Sequence, residues 1–154
     1  MSYVFEILPY IGYFLLWTLV LYWVHRLAHM YKIPFVTKWH WDHHKQITQG
    51  TYKGLHWTNL FLWTDSWKST FDLWCTDVIP TIIFCAVTGQ WWIGAFYYVW
   101  AAFFQEALEH NQKLKLYPFL TTGSYHLEHH KDSRMNFGLF VPIWDIVFRT
   151  NKPI

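Results

Sequence analysis

The chain has 154 residues, of which 53% are apolar, 23% aromatic and only 14% charged, against about 25% charged in an ordinary soluble domain. That composition excludes a disordered chain, and a net charge of +2 without a basic run argues against a nucleic-acid partner. The two cysteines, Cys75 and Cys85, cannot build a disulfide scaffold or a thiolate metal site, and the length suits one domain over residues 1–154.

In chain order, the first element is a run of 18 uncharged residues, 7–24, close to the roughly 20 that a helix needs to cross the hydrocarbon core of a membrane. It is too long and too aromatic for a signal peptide, and it continues into His25, Arg26 and His29, so the helix is expected to pass the bilayer surface. Residues 58–74 mix Trp and Phe with scattered charges, the pattern of a segment lying at the membrane interface. Residues 78–105 are 28 uncharged residues interrupted at Thr88, Gly89 and Gln90, which reads as a helical hairpin with arms 69–87 and 91–111. Pro80 is expected to kink the first arm. All 12 Lys and Arg fall within residues 26–68 and 113–152. The enrichment of basic residues on the cytoplasmic side then gives three crossings at about 5–30, 69–87 and 91–111, with the N-terminus outside. The expected fold is an all-α integral membrane bundle with a cytoplasmic, His-rich helical cap from 25–68 and 106–154, the C-terminus included. A soluble helical protein with a very aromatic core is the alternative.

Nine of the ten histidines fall in four short groups: His25 and His29; His40, His43 and His44; His110; and His126, His129 and His130. Spacings of three and four place side chains on one face of a helix, so each multiple group is a ready set of ligands. Nine imidazoles exceed the four ligands of a single tetrahedral site, and the number points to two metals. Haem ligation would use two of them, and the HExxH zinc pattern is absent. His56 matches no spaced set and reads as an ordinary surface or core histidine.

Imidazole suits iron, copper, zinc and nickel alike, so the setting decides. A site at the inner membrane surface receives long apolar substrates, which offer only C–H bonds, and that chemistry belongs to iron and O2. Zinc can replace iron in purified protein. Glu106 lies four residues before His110, on the same helical face, and a carboxylate at that depth needs a cation or a donor. It is expected to face the metals as a ligand or catalytic group. Asp145 is a candidate to hold a metal-bound histidine by its free N–H. Asp42 and Glu128 lie off the histidine faces and are expected to pair with lysines. Asp72 and Asp77 are functional candidates because they are ionisable at membrane depth, and Asn136 and Gly138 read as turn residues.

The sequence resembles the fatty acid hydroxylase superfamily, the membrane di-iron proteins that include sterol desaturases and fatty acid hydroxylases. The resemblance rests on LYWVHRLAH (21–29), WHWDHH (39–44), EHN (109–111), HLEHH (126–130), NFG (136–138) and WDIVFRT (144–150), in that order. It implies that His25, His29, His40, His43, His44, His110, His126, His129 and His130 hold two iron ions that activate O2. It also implies a fatty acyl or sterol-like lipid substrate and electrons from a cytochrome b5, ferredoxin or rubredoxin type of donor. The chain is short for the family, which implies an acyl pocket that is truncated or completed by a second copy in a homo-oligomer. Arg149 stands where relatives carry Gly. Hydroxylation is expected over desaturation, since a small scaffold has less protein with which to hold two C–H bonds near the oxidant. A non-catalytic metal-binding membrane protein and an inactive relative of the family are the competing readings.

Overall fold

The computed structural model describes residues 2–30, 33–51 and 53–152, so Lys32 and the end of the expected cap lie outside the described residues. Among these there is no strand, and the helices are α1 (Ser2–His29), α2 (Pro34–Thr48), a 3-10 turn (Trp57–Phe61), α3 (Trp67–Leu73), a π turn (Trp74–Val78), α4 (Ile79–Thr88), α5 (Trp91–Phe103), α6 (Gln105–Leu108), α7 (Ser124–Lys131) and α8 (Ile143–Val147).

Two helices are long and apolar enough to cross a membrane, Phe5–His29 and the continuous α3, π turn and α4 over Trp67–Thr88. A soluble helix is polar on its outer face, but these are apolar outside as well. Phe5, Ile7, Leu8 and Leu16 of α1, Ile82, Ile83 and Val87 of α4, and Trp91, Val99 and Phe103 of α5 are all exposed. A continuous apolar exterior of that size needs a lipid or protein covering.

The hairpin forms with its tip where expected. Gly89 ends α4 in the left-handed region at φ 72°, and its N–H reaches the Cys85 carbonyl at 2.8 Å, a helix-ending geometry that glycine enters without steric cost. Two details differ from the sequence reading. The second arm stops as a regular helix at Phe103 rather than running to residue 111, because a break at Phe104 turns the chain into α6 and buries Gln105 and Glu106. At 13 residues, α5 alone is about 20 Å long, short of the roughly 30 Å core. The irregularity near Pro80 is the π turn just before it. Proline has no N–H to offer the carbonyl four residues back and its ring crowds that carbonyl, and a widened turn accommodates both.

The helices meet around Trp17, Leu21, Phe84, Ile93, Tyr97 and Phe140. Polar pins fix the register: Trp17 Nε1 donates to Thr81 Oγ1 at 2.9 Å and Trp144 Nε1 to Thr18 Oγ1 at 3.0 Å. Phe140 and Trp144 belong to the closing segment 135–152, which is therefore laid against α1. Within the stretch 58–74, Phe61, Trp63 and Trp67 are exposed.

Arg149 sits in the left-handed region at φ 56°, which gives the physical reason for the glycine expected there. That conformation costs a residue with a side chain about 1–2 kcal/mol, while glycine's greater chain entropy opposes the exchange by about 0.5–1 kcal/mol. Arg149→Gly is therefore expected to stabilise the protein by about 0.5–1 kcal/mol, read as a higher thermal midpoint in detergent. A lower midpoint would mean that the arginine side chain contributes more than its backbone costs.

Candidate metal centre

The nine grouped histidines come together in two sets. His25, His29, His40, His44 and His129 form one and His43, His110, His126 and His130 the other, with the ligand atoms of each set within 4.8 Å of one another. Helical geometry sorts them. On α2 the i, i+4 pair His40 and His44 faces the first set, and His43 between them turns to the second. On α7 the pair His126 and His130 faces the second set, while His129 turns to the first. The sets adjoin through His44 and His130, whose ring centroids are 4.2 Å apart. His56 stands apart and caps the 3-10 turn, its Nδ1 accepting from the Thr58 N–H at 3.5 Å.

Hydrogen bonds at the far side of each ring identify the tautomers. His25 Nδ1 lies 2.8 Å from the Phe137 carbonyl, and His129 Nδ1 lies 2.6 Å from the Met135 carbonyl. A carbonyl only accepts, so both Nδ1 atoms carry the proton and both Nε2 atoms are bare in the neutral ring. His40 Nδ1 faces the Asp72 carboxylate at 3.0 and 3.1 Å, with the same consequence. Yet His40 Nε2 lies 3.1 Å from His25 Nε2. Bare nitrogens this close repel unless a cation stands among them. In addition, both ring nitrogens of buried His44 and Nδ1 of His130 have no hydrogen-bond partner among the described residues. Unmet buried nitrogens and convergent lone pairs are what a metal ion would satisfy. The donor set fits two cations.

Burial keeps the rings neutral. It pushes the His40 and His43 imidazoles down to about 3 and about 4, with His40 adding to the effect on His43 against the opposing pull of Asp72. Burial also holds His126, His129 and His130 well below the ordinary value. The ring of Phe137 lies against His25, His29 and His129, with centroids 5.5 to 5.9 Å away, and keeps water from that side.

Among the described residues Asp145 makes no hydrogen bond to a histidine; its place is one layer further back than the sequence suggests. Fully buried, it accepts from the Phe137 N–H and Thr150 Oγ1 on one oxygen and from the Gly138 N–H and Tyr125 hydroxyl on the other, at 2.8 to 3.2 Å. It thereby fixes the turn whose Phe137 carbonyl holds His25. Gly138 is required there, because a Cβ would stand 2.8 Å from both Asp145 Oδ2 and the Val141 carbonyl. Asn136, at φ 59°, ties the same turn to Lys152 through its side-chain amide.

Glu106 lies outside both ligand sets. Its Oε2 is 3.9 Å from His110 Nδ1, because one turn of helix brings the carboxyl group beside the ring rather than to the point where four nitrogens meet. Asp42 pairs with Lys68 at 2.9 Å and Glu128 with Lys131 at 2.6 Å, as expected for carboxylates off the histidine faces. Sequence reasoning did not pair Asp72 with His40. Its signal was an ionisable group at membrane depth, which gives importance without a partner.

A carboxylate that takes a ligand's second proton orients the ring and raises its basicity, and losing it typically weakens metal binding by about 10- to 100-fold. Asp72→Asn is expected to do so, measured by competition with a chelator. Unchanged affinity would show that His40 is held in place without it.

A model of the fatty acid hydroxylase family matches residues 10–150. No curated protein and no solved structure matches the chain.

Proposed function

Since the chain belongs to the fatty acid hydroxylase family, we propose that it is an O2-dependent membrane di-iron hydroxylase of a lipid, with residues 1–154 as one oxygenase domain. The observation that carries this reading is the gathering of nine neutral imidazoles into two adjoining sets. Five would hold one ion and four the other, and two iron ions so held would supply the activation of O2.

The chain's own residues prepare the site. Asp72 and the carbonyls of Met135 and Phe137 keep the Nδ1 protons away from the ligand positions. Asp145 positions the turn that bears Phe137, and Glu106 stands beside His110 as a positioning carboxylate. Phe137 shields the five-histidine set from water, and the apolar helices deliver substrate from the lipid phase. One atom of O2 enters a C–H bond and the other leaves as water, which takes two electrons and two protons. We assign the electrons to a small donor protein of the cytochrome b5, ferredoxin or rubredoxin type. Hydroxylation is favoured over desaturation because it requires a single C–H bond in reach, and the cavity beside both histidine sets is only about 50 Å³.

Cells expressing the protein under isotopically labelled dioxygen are expected to accumulate a lipid that carries the label, detected by comparison with the lipidome of control cells. A product lacking two hydrogens and carrying no label would show desaturation. No change in the lipidome, in protein that holds iron and receives electrons, would leave a metal-binding protein without this activity.

The one-sided placement of Lys and Arg supports a cytoplasmic cap and C-terminus, with the hairpin tip outside. In a variant without Cys75 and Cys85, an impermeant thiol reagent applied from outside is expected to label a cysteine at Gly89 and not one at Ser133. The opposite pattern would invert the orientation.

A further inference from the structure

Besides Leu73, Leu139 and the hydroxyl side chains of Thr64, Ser69 and Thr76, the cavity of about 50 Å³ has two unlike walls. One is histidine, with His25 and His40 of the first set and His43, His110 and His126 of the second. The other is built from Asp72 and Asp77 of the second long helix and from Gln105, Glu106 and Glu109 around α6. This wall is rich in acceptors, and part of that capacity is unmet. Asp77 Oδ2 accepts from Gln105 Nε2 at 3.3 Å, but Asp77 Oδ1 and Gln105 Oε1 have no donor among the described residues. Asp77 is 4% and Gln105 7% exposed, so bulk water does not satisfy them either.

The backbone is shaped to make this wall. The second long helix widens into its π turn over Trp74–Val78 beside the cavity, and π turns are frequent at functional sites. Widening narrows the angle between side chains five residues apart, which turns Asp72 and Asp77 toward the same space. The break at Phe104 does the corresponding work on the other side, burying Gln105 and Glu106. A cavity meant for the methyl end or the middle of a hydrocarbon chain would be lined by apolar groups, since an unmet buried acceptor is costly.

We propose that this chamber receives a hydroxyl group of the substrate, so that the lipid attacked carries an alcohol at or beside the reacting carbon. The inference rests on the oxygenase reading only in taking the histidine wall as the reacting end. A hydroxyl is small enough for the space and donates to Asp77 Oδ1 or Gln105 Oε1. A fatty carboxylate brings negative charge and no donor against four carboxyl groups, and an alkane leaves the acceptors unmet.

The test is retention of radiolabelled probes by the purified, metal-loaded protein in detergent, each probe at the same mole fraction in the micelle. The probes are hexadecan-1-ol, hexadecane, hexadecanoate and hexadecylamine. Hexadecan-1-ol is expected to be retained about tenfold over hexadecane and hexadecanoate, the worth of one hydrogen bond. Asp77→Leu combined with Gln105→Met, which removes both unmet acceptors, is expected to bring that ratio close to one while metal content stays unchanged. Equal retention of the alkane or the carboxylate would overturn the proposal, as would a variant that keeps both its metal and the tenfold ratio. Preferential retention of the amine would overturn the assignment to a hydroxyl. Should the double variant not fold, the wild-type ratios alone decide. Retention is read without turnover, so a protein that prefers the alcohol but never oxidises it would refute the oxygenase reading and leave the chamber standing. An active enzyme without the preference would do the reverse.

Discussion

The hydrogen bond from His25 Nδ1 to the Phe137 carbonyl, 2.8 Å long, joins residues 112 positions apart, and most of the cap can be understood as the means of making it. An imidazole presents a bare nitrogen to a cation only when its other nitrogen has somewhere to put its proton. Here that acceptor is a peptide carbonyl in a turn that has no regular structure of its own. The turn must therefore be held by something else. Asp145 does so through two backbone amides, Tyr125 and Thr150 complete the carboxylate's partners, and Tyr22 of α1 reaches Thr150 at 2.9 Å. The closing segment is bound back to the helix from which His25 projects, so the loop of dependencies closes on itself.

Around this cap the protein reverses the usual distribution of polarity. Its outer surface is aliphatic and aromatic along α1, α4 and α5, and its interior holds seven of the nine grouped histidines as well as Asp72, Asp77, Glu106, Glu109 and Asp145. Burying so many polar groups is unfavourable unless each finds a partner. The partners differ by position: backbone carbonyls and carboxylates at the rear of the rings, backbone amides around Asp145, and convergent neighbouring nitrogens at the front. The acceptors left over face the small chamber between α6 and the second long helix.

Much of this was legible in the sequence because it depends on side-chain spacing. The nine histidines could be grouped, and His56 set aside, from intervals of three and four alone. Gly89 announced the hairpin tip by its conformational freedom. What was not legible depends on the backbone. Asp145 looked like a partner for an imidazole because a carboxylate beside histidines usually is one, yet two of its four partners are the amides of Phe137 and Gly138, groups that every residue type but proline possesses. The Met135 and Phe137 carbonyls that select the histidine tautomers have no side-chain signature at all. The break at Phe104 interrupts a run of residues, 91–108, that carries no proline, and its only glycine, Gly94, lies well inside α5. Tertiary demand for Gln105 and Glu106 in the interior overrode local preference.

The doubled histidines at 43–44 and 129–130 give the protein a mechanical property. Adjacent residues on a helix differ by a fixed rotation and a rise of about 1.5 Å, and in each doublet one ring serves the first set and its neighbour the second. Although His25 and His29 serve the first set alone and His110 the second, α2 and α7 both act as rulers laid across the two sets. A shift of either helix displaces donors of both sets together, so the spacing between them is held by covalent helix geometry rather than by the softer contacts of packed side chains.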